Sequence, residues 1–260
     1  MKDISSKSYA DFYNRDWENA YGFWHKIIDR CAKQIDFLQK VIERLDKSEI
    51  KILDLGCGAG DEIASALKAF PKKRFYITAV DSSDQALNIY SENNSVTKSI
   101  KGDLHKIPDQ LNEKFDLILF AHSLYCSNLE GLFKKYLRLL EPRGIILIFL
   151  GSQVRESRLV RERFWEEAHG VVLEENTTED IVGMLNKSRI DYSLNHIKSH
   201  IDLKKLEILE KEAKERLFLN FLFRLKRFDS DFVKKVDNYI NLLQKDGKLS
   251  EISSAIVIKK

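Results

Sequence analysis

The chain has 260 residues, 43% of them hydrophobic and 32% charged, which is enough to bury the core of one domain, alone or with a small addition. Eleven glycines and three prolines argue against long flexible linkers, and a net charge of +3 neither demands nor excludes a nucleic-acid partner. Cys31, Cys57 and Cys126 stand far apart without metal-ligand spacing, which fits reduced thiols in the cytoplasm. The polar, aromatic start has no apolar signal-peptide segment, and no apolar run approaches the ~20 residues of a membrane helix.

Taken in chain order, residues 1–48 read as helical. Phe23, Trp24, Ile27, Ile28, Cys31, Ile35, Leu38, Val41, Ile42 and Leu45 recur at three- and four-residue intervals. The texture then changes to short apolar runs at 51–55, 75–80, 96–101, 115–121 and 144–150. Runs of this length suit strands buried on both faces, as in a parallel sheet with helical crossovers. Asp61 opens a helix to about residue 70, with Pro71 just beyond. Ser83 or Asp84 can cap the next helix. Asn128 can cap 129–140, which ends at the turn signal Glu141-Pro142-Arg143-Gly144. Residues 155–169 form a charged amphipathic helix, and Thr177-Thr178-Glu179-Asp180 starts another with an oxygen cap. Residues 190–202 alternate like a strand. A Lys-rich helical insertion, about 203–245, breaks at Phe228-Asp229-Ser230, and Ala255-Ile256-Val257-Ile258 ends the chain as a strand. The pattern predicts a doubly wound α/β sheet of seven strands in a single domain. Within it, 1–48 is a helical lid, 49–151 a donor-binding half and 152–260 an acceptor-side half.

The motif that carries chemistry is Ile52-Leu53-Asp54-Leu55-Gly56-Cys57-Gly58-Ala59-Gly60. A strand ends at Asp54-Leu55, and three alternate glycines lead into a helix, so a ligand can approach the main chain and meet free N–H groups. A dinucleotide fingerprint would place a further Gly where Asp61 stands, and that carboxylate would repel a pyrophosphate. An amino-acid ligand carrying a carboxylate, an ammonium and a sulfonium suits the loop better, with Asp54 facing the ammonium. Asp81, followed by Ser82, ends the second strand, the place from which a carboxylate accepts both hydroxyls of a ribose. Asp103 follows the third and can meet an adenine amino group, with Leu104 against the ring. A lone acidic residue after a strand is commonly a turn residue. Three at successive strand ends, with Gly-x-Gly-x-Gly at the first, form a set.

Ile52 to Gly60, Asp81, Asp103 and Phe115-Asp116-Leu117-Ile118-Leu119 together resemble the class I S-adenosylmethionine-dependent methyltransferases, strongly over residues 50–150. The resemblance implies a Rossmann-like sheet of order 3-2-1-4-5-7-6 with the last strand antiparallel. It also implies S-adenosyl-L-methionine as cofactor and S-adenosyl-L-homocysteine as product. A weaker likeness is to the histamine N-methyltransferases. It rests on Ser48-Glu49-Ile50-Lys51-Ile52-Leu53, Leu124-Tyr125, Gly151-Ser152, Thr178-x-Asp180 with Met184-Leu185-Asn186, and Gly247-Lys248. It implies a Glu from the N-terminal region and an Asn before the last strand on the substrate amine. The spacing puts Glu251 at the second place, and the first falls near Trp24 or His25.

Methyl transfer from a sulfonium needs donor and acceptor held in line, with water excluded, and a base only where the acceptor must lose a proton. His122 follows the fourth strand directly, alongside Ala121, and reads as a base or as a wall of the donor pocket. Tyr125 reads as acceptor lining or core. No Asn/Asp-Pro-Pro-Tyr/Phe motif follows that strand, which removes the usual signature of exocyclic-amine and glutamine-amide methylation. Tyr9, Tyr13, Trp17 and Trp24 form either a lid enclosing a cationic acceptor by cation–π contact or a helix face packed on the sheet. The basic stretch 204–227 reads as a solvated helix face, offset by Glu207, Glu210, Glu212 and Glu215. The expectation is a small-molecule acceptor, an amine or imidazole nitrogen, handled by a monomer or homodimer with no membrane or nucleic-acid partner. RNA or protein methylation and a non-catalytic donor-binding subunit are the alternatives.

Overall fold

The computed structural model describes residues 22–207, 215–225 and 227–260. Seven strands form one sheet of order β3-β2-β1-β4-β5-β7-β6: β1 (Glu49–Leu55), β2 (Arg74–Asp81), β3 (Lys98–Lys101), β4 (Phe115–Ala121), β5 (Leu140–Gly151), β6 (Tyr192–Asp202) and β7 (Lys248–Lys259). The expected order is the observed one. Strands β1 to β5 pair in parallel, with Ile52 opposite both Ile77 and Leu117. Strand β7 runs against both of its neighbours. Lys260 N–H bonds Gly144 O while Ser152 N–H bonds Ile252 O, so the paired numbers climb on one strand as they fall on the other. Leu203 N–H to Gly247 O and His196 Nδ1 to Ser254 Oγ show the same for β6.

The helices are α1 (Arg30–Glu43), α2 (Asp61–Leu67), α3 (Asp84–Asn93), α4 (Leu132–Leu137), α5 (Glu156–His169), α6 (Thr178–Lys187) and α7 (Ser230–Leu243). Ser83 caps α3, its hydroxyl accepting Ala86 N–H at 3.3 Å. Asp180 accepts Thr177 N–H at 2.8 Å at the start of α6, and Asp229 accepts Asp231 and Phe232 N–H at the start of α7. These are the stops and starts that oxygen side chains supply to unpaired helix N–H groups.

Several boundaries differ from expectation. Asn128 does not cap α4. Its carbonyl oxygen accepts Glu130 N–H in a local turn, and the helix opens later, after Gly131 in a left-handed conformation. Strand β5 begins at Leu140, ahead of the Pro142 turn signal, because Phe115 pairs Leu140 before the register shifts to Leu117 opposite Ile145. Helix α2 ends at Leu67, short of residue 70. Strand β3 starts at Lys98, since Thr97 Oγ1 takes Ile77 N–H at 3.1 Å in place of a regular ladder bond. Strand β7 is 12 residues long, its first half masked in sequence by Ser250, Glu251, Ser253 and Ser254. The 203–245 insertion contains one helical turn at Lys204–Glu207, a π-helical segment at Glu215–Leu219, Asn220–Phe223, and then α7.

Two compact units make up the chain, the larger comprising 32–150, 176–196 and 254–260. Its core gathers Leu53, Leu55, Val80, Ile118, Phe120, Tyr136, Ile146, Ile148 and Ile256, all essentially inaccessible. Such burial stabilises by roughly 25 cal/mol per Å² of apolar surface removed from water. The other unit, described over 22–31, 151–175 and 197–253 apart from the residues named above as undescribed, packs Trp24, Phe164, Trp165, Phe218, Phe223, Phe232 and Val236. No helix of the described residues is long and apolar enough to cross a membrane.

Candidate active site

The larger unit brings the motif residues together at the carboxyl ends of β1, β2 and β4. Gly56, Gly58 and Gly60 have φ of 64°, 54° and 72°, the left-handed region that favours glycine. At two of them space is also missing. A Cβ on Gly56 would lie 2.3 Å from Ser123 Cβ, and one on Gly60 would lie 2.5 Å from the Tyr90 ring. Main-chain bonds from Gly56 and Cys57 N–H to Val80 O fix the loop against β2, and Gly58 N–H reaches Asp81 Oδ2 at 3.0 Å. Cys57 is buried, and burial pushes its thiol far above the usual range, so it is inert.

Asp54 is 3% exposed, and its Oδ2 accepts the Tyr90 hydroxyl at 2.9 Å. Its carboxyl is raised to about 7, chiefly by burial, with the Tyr90 bond pulling it down and the Glu62 and Asp81 charges adding to the rise. Asp81 is also raised by burial, opposed by bonds from Ser83, Gly58 and Ser82. Two buried carboxyls therefore sit side by side with no cation among the groups that set them. Gly58, Ser83 and Ser82 N–H bear on Asp81, and a carboxylate has about four acceptor sites, so one is left over. Asp103 is exposed; its Oδ1 accepts His105 N–H at 2.8 Å, and its carbonyl accepts Lys106 N–H. Leu104 packs on the core, with its carbonyl held by Tyr136 OH at 2.6 Å.

Past Ala121, His122 takes a left-handed φ of 58°, unusual for a side chain of this size, and its N–H bonds Phe149 O at 2.9 Å. Its imidazole bridges two partners: Nδ1 lies 2.9 Å from Tyr125 OH, and Nε2 lies 3.0 to 3.1 Å from the Gln34 amide. The His122 and Tyr125 rings stack at 6.0 Å. Asn176 pins the segment, donating its main-chain N–H to Tyr125 O and its amide to Leu124 O and Ser127 O, each at 2.7 Å. The Ser123 hydroxyl is buried with no hydrogen-bond partner among the described residues.

Comparison with known proteins now bears on this arrangement. Residues 52–144 match the family model described as a methyltransferase domain. A tRNA N(3)-methylcytidine methyltransferase of Schizosaccharomyces pombe is 25% identical over 206 residues, which is 70% of this chain and 66% of that protein, so the chain spans just under two thirds of its length. The ubiquinone biosynthesis O-methyltransferase of Rickettsia bellii is 24% identical over 188 residues, 70% of this chain and 69% of that one. Among solved structures, the YcgJ protein of Bacillus subtilis superposes with a TM-score of 0.59 at 15% identity, covering 88% of this chain and 98% of that one. The plantazolicin methyltransferase BamL, solved with S-adenosylhomocysteine, gives 0.55 at 15% identity over 97% and 94%. Residues 52–144 therefore carry a methyltransferase domain, and the chain has the fold of the methyltransferase BamL, which was solved with S-adenosylhomocysteine.

S-adenosylmethionine, the cofactor that a methyltransferase domain of this kind implies, fits the residues present. Its ammonium and sulfonium would supply the cationic charge that the Asp54 and Asp81 carboxyls lack, and its hydroxyls and amino group would be donors for their remaining lone pairs. Of the acceptor-side residues expected from sequence, Tyr13 and Trp17 lie outside the described residues. Trp24 is 2% exposed in the core of the smaller unit, stacked on Phe221 at 4.1 Å and on Phe218 at 5.9 Å. Glu251 is 2% exposed and accepts Ser157 N–H at 2.8 Å at the start of α5, where burial raises its carboxyl and Arg155 and Arg30 pull it down. Asp116, inside the resemblance motif, takes Lys51 N–H at 2.8 Å and pairs with Lys47, so it ties β1 to β4. Sequence reasoning did not find Tyr90, Gln34, Ser123 or Asn176. Only Tyr90 left a signal, as a large ring on the polar helix α3.

Proposed function

We propose that this methyltransferase acts on a small molecule at an amine or imidazole nitrogen. The observation that carries the reading is the hydrogen-bonded His122–Tyr125 pair immediately after β4, beside a residue, Ser123, that touches the glycine loop. Asp54 would hold the donor ammonium. The main chain of Gly56, Cys57, Gly58 and Gly60 would border its amino-acid part, Asp81 and Ser82 its ribose, and Asp103 with Leu104 its adenine. Ala121 and His122 would wall the methyl end, and the cofactor supplies an already activated methyl group. Tyr125 would meet the acceptor, whose proton needs a neutral oxygen or nitrogen nearby rather than a strong base. We place the protein in the cytoplasm, in keeping with its three free cysteines. The test is turnover with labelled S-adenosylmethionine on a panel of biogenic amines and imidazoles. Turnover of several imidazoles or amines supports the reading, and none across the panel refutes it.

A second reading, methylation of RNA, is favoured by the name of the S. pombe relative. Its test is binding of bulk tRNA across salt concentrations. A steep fall of affinity with salt supports it, and no binding at low salt removes it.

A further inference from the structure

The proposed function leaves Gln34 unused. It is 1% exposed on α1, and 88 residues separate it from the imidazole that it meets. A buried amide without a structural ladder to serve is costly unless each of its polar atoms is engaged. Here the amide meets one nitrogen of one histidine, a histidine whose backbone is itself held in a left-handed conformation. Strain of this kind persists where the surroundings over-determine it, and it clusters at sites that need a fixed side chain.

We infer that Gln34 is a positioning residue that fixes His122 as the Nε2–H tautomer, so that Nδ1 accepts the Tyr125 hydroxyl proton. This rests on the reading of His122 and Tyr125 as site residues. Two assignments are geometrically open. In one, Nε2–H donates to Gln34 Oε1 and Tyr125 O–H donates to Nδ1. In the other, the Gln34 amide N–H donates to Nε2 and Nδ1–H donates to the phenol oxygen. The first pairs a phenol, the best donor present, with an imidazole nitrogen, and an imidazole N–H with an amide oxygen, both good acceptors. The second asks the phenol oxygen, whose lone pair is delocalised into the ring, to accept. The first arrangement therefore wins.

The consequence is directional. With its own proton aimed at Nδ1, the Tyr125 oxygen can only accept from any further group, so a ligand that meets it does so through an N–H or O–H. When such a group gives its proton to Tyr125 Oη, the Tyr125 proton passes to His122 Nδ1. The product is an imidazolium whose Nε2–H stays on Gln34 Oε1, and no charge is created or lost. Asn176 keeps the phenol in reach by holding Leu124, Tyr125 and Ser127 main-chain carbonyls.

The experiment is two-bond ¹H–¹⁵N correlation spectroscopy of the full chain labelled at histidine, with the His122 signal assigned by His122→Gln. The expected result is a pyrrole-like Nε2 and a pyridine-like Nδ1 in the parent protein. Gln34→Ala should mix the tautomers, whereas Gln34→Glu, which keeps an acceptor oxygen, should retain Nε2–H. Binding of S-adenosylhomocysteine by each variant shows that it is folded. A parent protein with Nδ1–H overturns the inference, as does Gln34→Ala with an unchanged Nε2–H signal. The spectrum needs no methyl acceptor, so failure of the amine panel and failure of this inference are separate results.

Discussion

Asp54 concentrates the energetics of the proposed donor site in one carboxyl. Its folded pKa of about 7 lies above its unfolded value of 3.8, so the folded state holds the proton more tightly. The sign follows from linkage: this group favours folding at low pH, and that advantage is lost as pH rises from about 4 through 7. The difference corresponds to roughly 4 kcal/mol at full ionisation, at 1.36 kcal/mol per unit. Asp54→Asn, neutral and of the same shape, should therefore raise the stability of the ligand-free protein at pH 8 by about 1–3 kcal/mol. It should also weaken S-adenosylhomocysteine binding at least about tenfold, by leaving the ammonium without its carboxylate. Urea melts and calorimetric titration at pH 8 read both, and a variant that is less stable than the parent contradicts the account. Tyr90→Phe removes the hydroxyl that favours the ionised form, so the pH at which donor affinity is half lost should move upward. An unmoved midpoint would mean that the 2.9 Å bond does not set this carboxyl.

At the scale of elements, helix α5 shows how a buried charge survives. Burial pushes the Glu175 carboxyl up, but Arg161 and Arg224 more than reverse it, holding it down at about 2. Arg161 binds it through two nitrogens at 2.6 and 2.8 Å and Arg224 through one at 2.7 Å, and both guanidiniums lie over the Trp165 ring. This group is depressed, so its contribution is present above pH 4.5 and is lost as pH falls toward 2. Glu175→Gln would leave two guanidiniums with a neutral partner and should cost about 3–5 kcal/mol. A loss below 1 kcal/mol in urea melts at pH 7 would show that solvent reaches the pair. None of this was visible in sequence, because Glu175, Arg161 and Arg224 are 14 to 63 positions apart and only folding joins them. The strands were visible, since β1, β2, β4 and β5 are apolar on both faces and announce themselves as runs. Strand β7 was half hidden, because its buried polar residues find partners elsewhere: Glu251 at Ser157 N–H and Ser254 at His196. Periodicity reports burial, and it misses polar groups buried with satisfied bonds.

For the molecule as a whole, the placing of the candidate donor residues at one edge of the sheet was legible for a topological reason. A doubly wound sheet places the ends of its parallel strands in one row, so Asp54, Asp81 and Asp103, at or just past the ends of β1, β2 and β3, fall in that row by construction. The acceptor side has no such rule. Gln34 meets His122 because a helix preceding the first strand crosses the end of the fourth, and no local pattern encodes that. With the donor in the proposed site, the row of carboxyls would make its binding a proton-linked event of the entire fold. Ligand binding that requires ionised Asp54 must expel its proton whenever pH is near or below 7. Affinity for S-adenosylhomocysteine should therefore rise about tenfold per pH unit below 7 and level off above it. The thermal stabilisation by a fixed excess of ligand should follow, since it varies as RT ln(1 + [L]/Kd), or about 1.4 kcal/mol per tenfold change in Kd. Calorimetric titrations at pH 7 in buffers of different ionisation enthalpy should report release of about half a proton per ligand bound, the fraction of a group titrating at that pH. Asp54→Asn should abolish both the release and the pH slope. A parent protein that releases no proton at pH 6 or 7 would show that Asp54 is already ionised before the donor arrives, and that the buried carboxyl draws its compensation from within the fold.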